Sequence, residues 1–144
     1  MTKERIVVSA SEYEIPLGNL PGIPSRYKYN FIAPAIKQLK EFKSEYPNDK
    51  ITWLISSLGY SPQDINNFKD TAKKLNVKVL FFDDISQLIY YINADRTFYK
   101  ISSLVVFSHG IINSVEFRYR PSYLGGSTDP LTLGINDISK LNSS

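Results

Sequence analysis

Histidine occurs once in this 144-residue chain, at His109, where it closes the run Ile101-Ser-Ser-Leu-Val-Val-Phe-Ser-His-Gly110. A histidine at the end of an apolar run can take up and release a proton near neutral pH. The glycine after it can turn sharply and bring a backbone N–H close to a reacting carbonyl oxygen, with no side chain in the way. A proton shuttle beside an oxyanion donor is half of an acyl-transfer site. The other half is a nucleophile, and the chain supplies no obvious one: it has no cysteine and no Gly-x-Ser-x-Gly elbow. The same His-Gly pair also fits a hydrogen-bonded structural histidine in a turn, and both readings stand at this point.

Other residues compete for a role at the same place. Ser108 directly precedes the histidine, and Gly59, in the turn Ser56-Ser-Leu-Gly-Tyr60, belongs to a second candidate segment of the rim, although a turn alone would explain it. Arg26, Tyr27 and Tyr29 sit in a loop with three prolines, where Arg26 could meet an acidic substrate side chain, although ordinary surface residues of a loop are the simpler account of all three. Asp83-Asp84 resembles a catalytic carboxylate pair, but a helix cap by Asp84 is the simpler account. Tyr119 and Tyr123 flank Pro121 and carry no assigned role.

The elements that must position these groups follow from periodicity. Arg5 to Ala10, Ile51 to Ile55, Val77 to Phe82 and the run ending at Phe107 read as strands. The last is apolar without interruption, as expected for a strand buried on both faces inside a parallel sheet, not for an edge. Between them, Phe31, Ala35, Leu39, Phe42 and Tyr46 recur at helical spacing with Asn30 as the cap, and Pro34 falls in the tolerated first turn. Ser61-Pro62-Gln63-Asp64 starts a second helix with Ile65, Phe68, Ala72 and Leu75 inward, closed by Asn76. Ile85, Leu88, Ile89 and Ile92 mark a third. The order β-α-β-α-β-α-β predicts an α/β domain over residues 1–144, with a mainly parallel sheet and helices on both faces. Ligands gather beyond the carboxyl ends of such strands, where Ser108, His109 and Gly110 fall. After Gly110 the pattern changes: Val115, Phe117 and Tyr119 alternate with charged residues as in an edge strand or flap, and Leu131 to Ile135 precedes a short helix begun at Asn136 or Asp137.

Composition narrows the classes. Hydrophobic residues at 42% and charged residues at 22% suit one globular domain. A net charge of +3, without a basic block, predicts no nucleic-acid partner. The absence of cysteine excludes disulfides and thiolate metal sites, and one histidine without clustered carboxylates predicts no metal and no other cofactor. No apolar run reaches about 18 residues, so no membrane span is expected, and the first residues lack the apolar core of a secretory leader.

The strands and helices leading to Leu104-Val-Val-Phe-Ser-His-Gly110 resemble the first part of caspase-like cysteine peptidases, the group that includes caspases, gingipains and clostripain. The Ser-His-Gly strand, the alternating segment after it and the Leu-x-x-x-Asp-Ile-x-x-Leu stretch are similar to caspase-like domains of large bacterial repeat proteins and secreted effectors. The resemblance implies a three-layer sandwich, incomplete at its carboxyl-terminal side because the strand bearing the cysteine is missing. It also implies His109 as the partner of a cysteine, protonating the leaving amine and then activating water, Gly110 as the oxyanion donor, a peptide or protein substrate, and a second chain or carboxyl-terminal segment that completes the sheet. An immunity protein as partner, and synthesis in the cytoplasm followed by delivery into another cell, follow from the same analogy. Two other readings accompany it: a non-catalytic module of the same fold that binds a partner, and a fragment of an α/β-hydrolase, which would carry one β-α unit fewer before its His-Gly.

Overall fold

The computed structural model describes residues 2–11, 29–94, 96–111, 114–118 and 131–141. Four strands, β1 (Thr2–Ser9), β2 (Lys50–Ser56), β3 (Lys78–Phe82) and β4 (Tyr99–Phe107), form an all-parallel sheet in the order β3-β2-β1-β4. Period-two alternation assigns their side chains to two faces. Val7, Ile51, Trp53 and Ile55 pack beneath α1 (Ile32–Glu45) and α2 (Pro62–Leu75), whose Ala35, Leu39, Phe42, Phe68 and Ala72 are buried. On the opposite face, Ile6, Val8 and Leu54 meet Leu88 of α3 (Ile85–Asn93). That layer also takes Phe117 and Leu131 from a second, antiparallel sheet of β5 (His109–Ile111), β6 (Ser114–Arg118) and β7 (Leu131–Gly134), followed by the single turn α4 (Ile135–Ile138). The chain is thus an α/β fold with helices on both faces of a parallel sheet.

Local chemistry explains most element ends. Ser61 caps α2 through a capping box, its hydroxyl accepting from the Asp64 N–H at 3.1 Å while Asp64 Oδ2 accepts from the Ser61 N–H at 3.0 Å. Asn76 ends the same helix in the left-handed region, with φ 54°. Asp84 caps α3 by accepting from the Ser86 N–H at 2.8 Å, which accounts for one of the two adjacent carboxylates. Buried polar groups in the sheet are also paired: the Trp53 indole donates to Ser9 Oγ at 2.8 Å.

Several expectations need correction. Asn30 is not the cap of α1: the helix begins at Ile32, and the Tyr29 carbonyl accepts from the N–H groups of Ile32 and Ala33, so a backbone turn does the work assigned to a side chain. Neither Asn136 nor Asp137 caps α4; Gly134 holds that position, with the Asp137 carboxylate accepting from its N–H at 2.9 Å. The segment around Val115 to Phe117 is not an edge but the middle strand of the small sheet, and Phe117 is fully buried against Phe82. Most consequential, β4 is not buried on both faces within this chain. Among the described residues it pairs with β1 alone, and Leu104 and Val106 stay 43% and 38% exposed. Apolar composition therefore identified the strand but overstated its burial.

Candidate functional site

From β1 the chain winds to β2 and β3 on one side, and then crosses to β4 on the other side of β1. The gap between the carboxyl ends of β1 and β4 is the topological switch point of the sheet, the place where open α/β sheets leave a crevice. There the Ala10 N–H donates to the Phe107 carbonyl at 2.9 Å, and Ser11 binds the Phe117 carbonyl through both its N–H, at 2.8 Å, and its hydroxyl, at 3.1 Å. These bonds pin β6 across the end of β1. They also fix where β4 can hand the chain to β5.

The handover is a bend at Ser108, after which His109 opens β5 opposite Glu116 and Gly110 lies opposite Val115. Ser108, His109 and Gly110 therefore stand at the expected rim, with the difference that His109 and Gly110 belong to a short antiparallel strand and not to a free turn. The imidazole is half-buried, neither sealed in the core nor fully in water. Phe31, at the start of α1, packs its ring against it with centroids 5.0 Å apart and planes at 90°. Side chain, strand end and helix start thus converge on the switch point, where a half-buried imidazole can exchange a proton with a group brought against it.

The other named candidates separate. Gly59 lies in the turn after β2, which is two strands from β4; its φ of 85° and the bond from the Tyr60 N–H to the Ser57 carbonyl make it a turn residue. Arg26, Tyr27, Tyr119 and Tyr123 lie outside the described residues. Tyr29 stacks on Tyr60 at 6.4 Å, and its hydroxyl donates to Asp64 Oδ1 at 2.6 Å, so it fastens the loop before α1 to the cap of α2. Among the described residues no three His, Asp or Glu side chains gather as a metal site, and no helix is long and apolar enough to cross a membrane.

Sequence reasoning missed the partner of the imidazole, because Phe31 reads as one more apolar position of α1. It also missed a buried ionic node at the opposite end of the sheet. Glu4 is fully buried in β1 and accepts from Thr52 Oγ1 at 2.6 Å, from the Tyr91 hydroxyl and from Arg96, with Lys50 Nζ 3.5 Å away. Burial alone would raise this carboxyl; the hydrogen bonds from Thr52 and Tyr91, with Lys50 and Arg96 beside it, hold it below its ordinary value. Burial and the bond to Glu4 push the Tyr91 hydroxyl up to about 12. The node ties β1, β2, α3 and the link before β4 together, far from the rim. In the sequence, Lys3-Glu4-Arg5 reads only as a charged start.

Comparison with protein-family models, with curated proteins and with solved structures gives no match to this chain.

Proposed function

We propose that this chain is the histidine-bearing part of a caspase-like cysteine endopeptidase, completed along β4 by a segment that carries the nucleophilic cysteine. The observation that carries the reading is the position of His109: half-buried at the switch point, directly after a strand whose outer edge is unpaired among the described residues. A cysteine at the end of a strand added beside β4 would enter the same crevice. Its thiolate would attack the scissile carbonyl carbon, and the Gly110 N–H would help hold the oxyanion. The His109 imidazolium would give its proton to the leaving amine, and the neutral ring would then take a proton from the water that hydrolyses the thioester. A bacterial effector or toxin with a protein substrate and an immunity protein as partner is the setting in which this reading places the chain.

The test is labelling by a peptide-based, thiol-directed probe, together with fluorogenic peptide cleavage, on the chain isolated with whatever segment or protein binds it in its own cell. A labelled cysteine in that companion, and cleavage abolished by His109→Ala and by alkylation, are the expected results. Absence of both labelling and cleavage would refute the peptidase and leave a binding module built on the same open edge.

A further inference from the structure

The outer edge of β4 has a definite chemistry. In a parallel pair, the N–H and C=O of one residue point to the same side, and successive residues alternate. The Phe107 carbonyl accepts from Ala10 N–H on β1, so Val105 and Phe107 face β1, whereas the peptide groups of Leu104 and Val106 face away from it. The same two residues carry exposed side chains, and of the eight large apolar side chains exposed among the described residues, Phe98, Tyr99, Leu104 and Val106 all lie on β4 or immediately before it. Natural edges are blunted by charge, proline or bulges; β4 carries a charge at Lys100 and a register shift at Ser102, and from Ser103 to Phe107 it has none of these.

At the beginning of the strand the surface changes character. Lys100 stands directly beside Lys3 in the β1–β4 register, both are exposed, and neither has an ion-pair partner among the described residues. Like charges facing each other across a sheet repel. The carboxylates nearest in the fold do not relieve them, since Glu4 is taken by Arg96 and Lys50 and Asp49 by Arg5. Beyond them, Thr2, Thr97, Phe98 and Tyr99 line a shallow notch of about 550 Å³.

We infer that β4 receives an extended peptide segment by strand addition, apolar where it passes Leu104 and Val106 and acidic where it passes Lys100, behind which Lys3 stands on β1. Open peptide groups supply the pairing, the two exposed aliphatic side chains supply the burial, and the lysine pair selects the sign of the charge. The inference shares the open edge with the proposed function but needs no nucleophile. Acid-selective binding without any thiol-dependent cleavage would preserve it while refuting the peptidase, and cleavage without acid-selective binding would do the reverse.

Two labelled nine-residue probes test it, both alternating Val and Thr, one ending in two Asp and the other in two Lys. Fluorescence anisotropy with the whole chain should show the Asp probe binding about fivefold or more tightly. Hydrogen exchange should show the amides of Leu104 and Val106, fast in the free chain, slowed by the Asp probe. Lys100→Glu and, separately, Lys3→Glu should erase or reverse the preference; both positions are exposed, so both variants can fold. Equal binding of the two probes, or no slowing at Leu104 and Val106, would overturn the inference. Slowing at those amides as the chain alone is concentrated would also overturn it, because the occupant would then be a second copy.

Discussion

The edge of the Phe31 ring meets the face of the His109 imidazole, or the reverse, with planes at 90° and centroids 5.0 Å apart. Phe31 is the residue from which α1 departs and His109 the residue with which β5 begins, so one contact couples the helix start to the strand that carries the proton carrier. Edge-to-face pairs of this kind add roughly 0.5–1.5 kcal/mol beyond their buried area. Phe31→Ala should therefore cost about 1–2 kcal/mol in urea unfolding, while Phe31→Leu, which keeps apolar bulk, should cost less. The informative readout is the imidazole itself: its carbon-bound proton resonances should shift in both variants, because the ring current of Phe31 is lost. Unmoved resonances would mean that the contact does not hold the ring in solution.

The parts of this fold that were legible in the sequence are those whose signal is local. The capping box at Ser61 and Asp64, the helix end at Asn76 and the Asp84 cap each require particular residues at fixed spacing, and each is found as read. Pairing is not local. The run from Ile101 to Phe107 was recognisable as a strand from its β-branched content, yet nothing in it says that its neighbour is β1 or that one of its faces stays exposed. For the site the contrast is similar: a lone histidine before glycine is visible in the sequence, but the convergence of β1, β4 and the start of α1 around it is set by strand order. Glu4 was the least legible, because a buried carboxylate between two basic residues looks the same as a solvated one until its partners, 46 to 92 residues away, are folded against it.

That carboxylate should govern stability more than any residue of the rim. Removing one member of a buried, hydrogen-bonded ionic group leaves the others uncompensated, with typical losses of about 3–5 kcal/mol. Glu4→Gln should fall near the lower end of that range, since the amide can still accept from Thr52 and Tyr91 while Arg96 loses its counter-charge. Thr52→Val should cost about 1–2 kcal/mol, because it removes the bond to Glu4 and the weaker 3.2 Å bond accepted from the Tyr91 hydroxyl. Chemical denaturation of the three forms checks the order; a Glu4→Gln chain as stable as the parent would show that Arg96 finds solvent without penalty.

The same node gives stability two pH limbs of opposite sign. Glu4 is held below its ordinary 4.5 when folded, so its contribution is complete above about pH 4.5 and is lost as pH falls through the lowered folded value. Tyr91 is raised from 10.0 to about 12, so the folded state favours the protonated hydroxyl; that contribution is complete below pH 10 and is lost as pH rises toward 12. Unfolding free energy measured from pH 3 to 12 should therefore show an acid limb that is flattened in Glu4→Gln and an alkaline limb that is flattened in Tyr91→Phe. The differences between parent and variant isolate these two groups from the other nine tyrosines of the chain. Limbs unchanged by both substitutions would place the titration elsewhere.

Between β2 and α2 the backbone itself decides which residues matter. Gly59 has φ 85°, a region in which a Cβ is strained, so Gly59→Ala should cost roughly 1 kcal/mol whatever the function of the chain. Ser61→Ala removes one cap bond and should cost about 1 kcal/mol. Asp64→Ala should cost more, about 2 kcal/mol, because that side chain accepts at 3.0 Å from the Ser61 N–H and at 2.6 Å from the Tyr29 hydroxyl, the bond that ties the segment before α1 to α2. Tyr29→Phe separates the two bonds of Asp64: it should recover most of the difference between Ser61→Ala and Asp64→Ala. If Gly59→Ala instead left stability intact and abolished binding or cleavage, the turn would belong to the site at the end of β4 and not, as its geometry indicates, to the entry of α2.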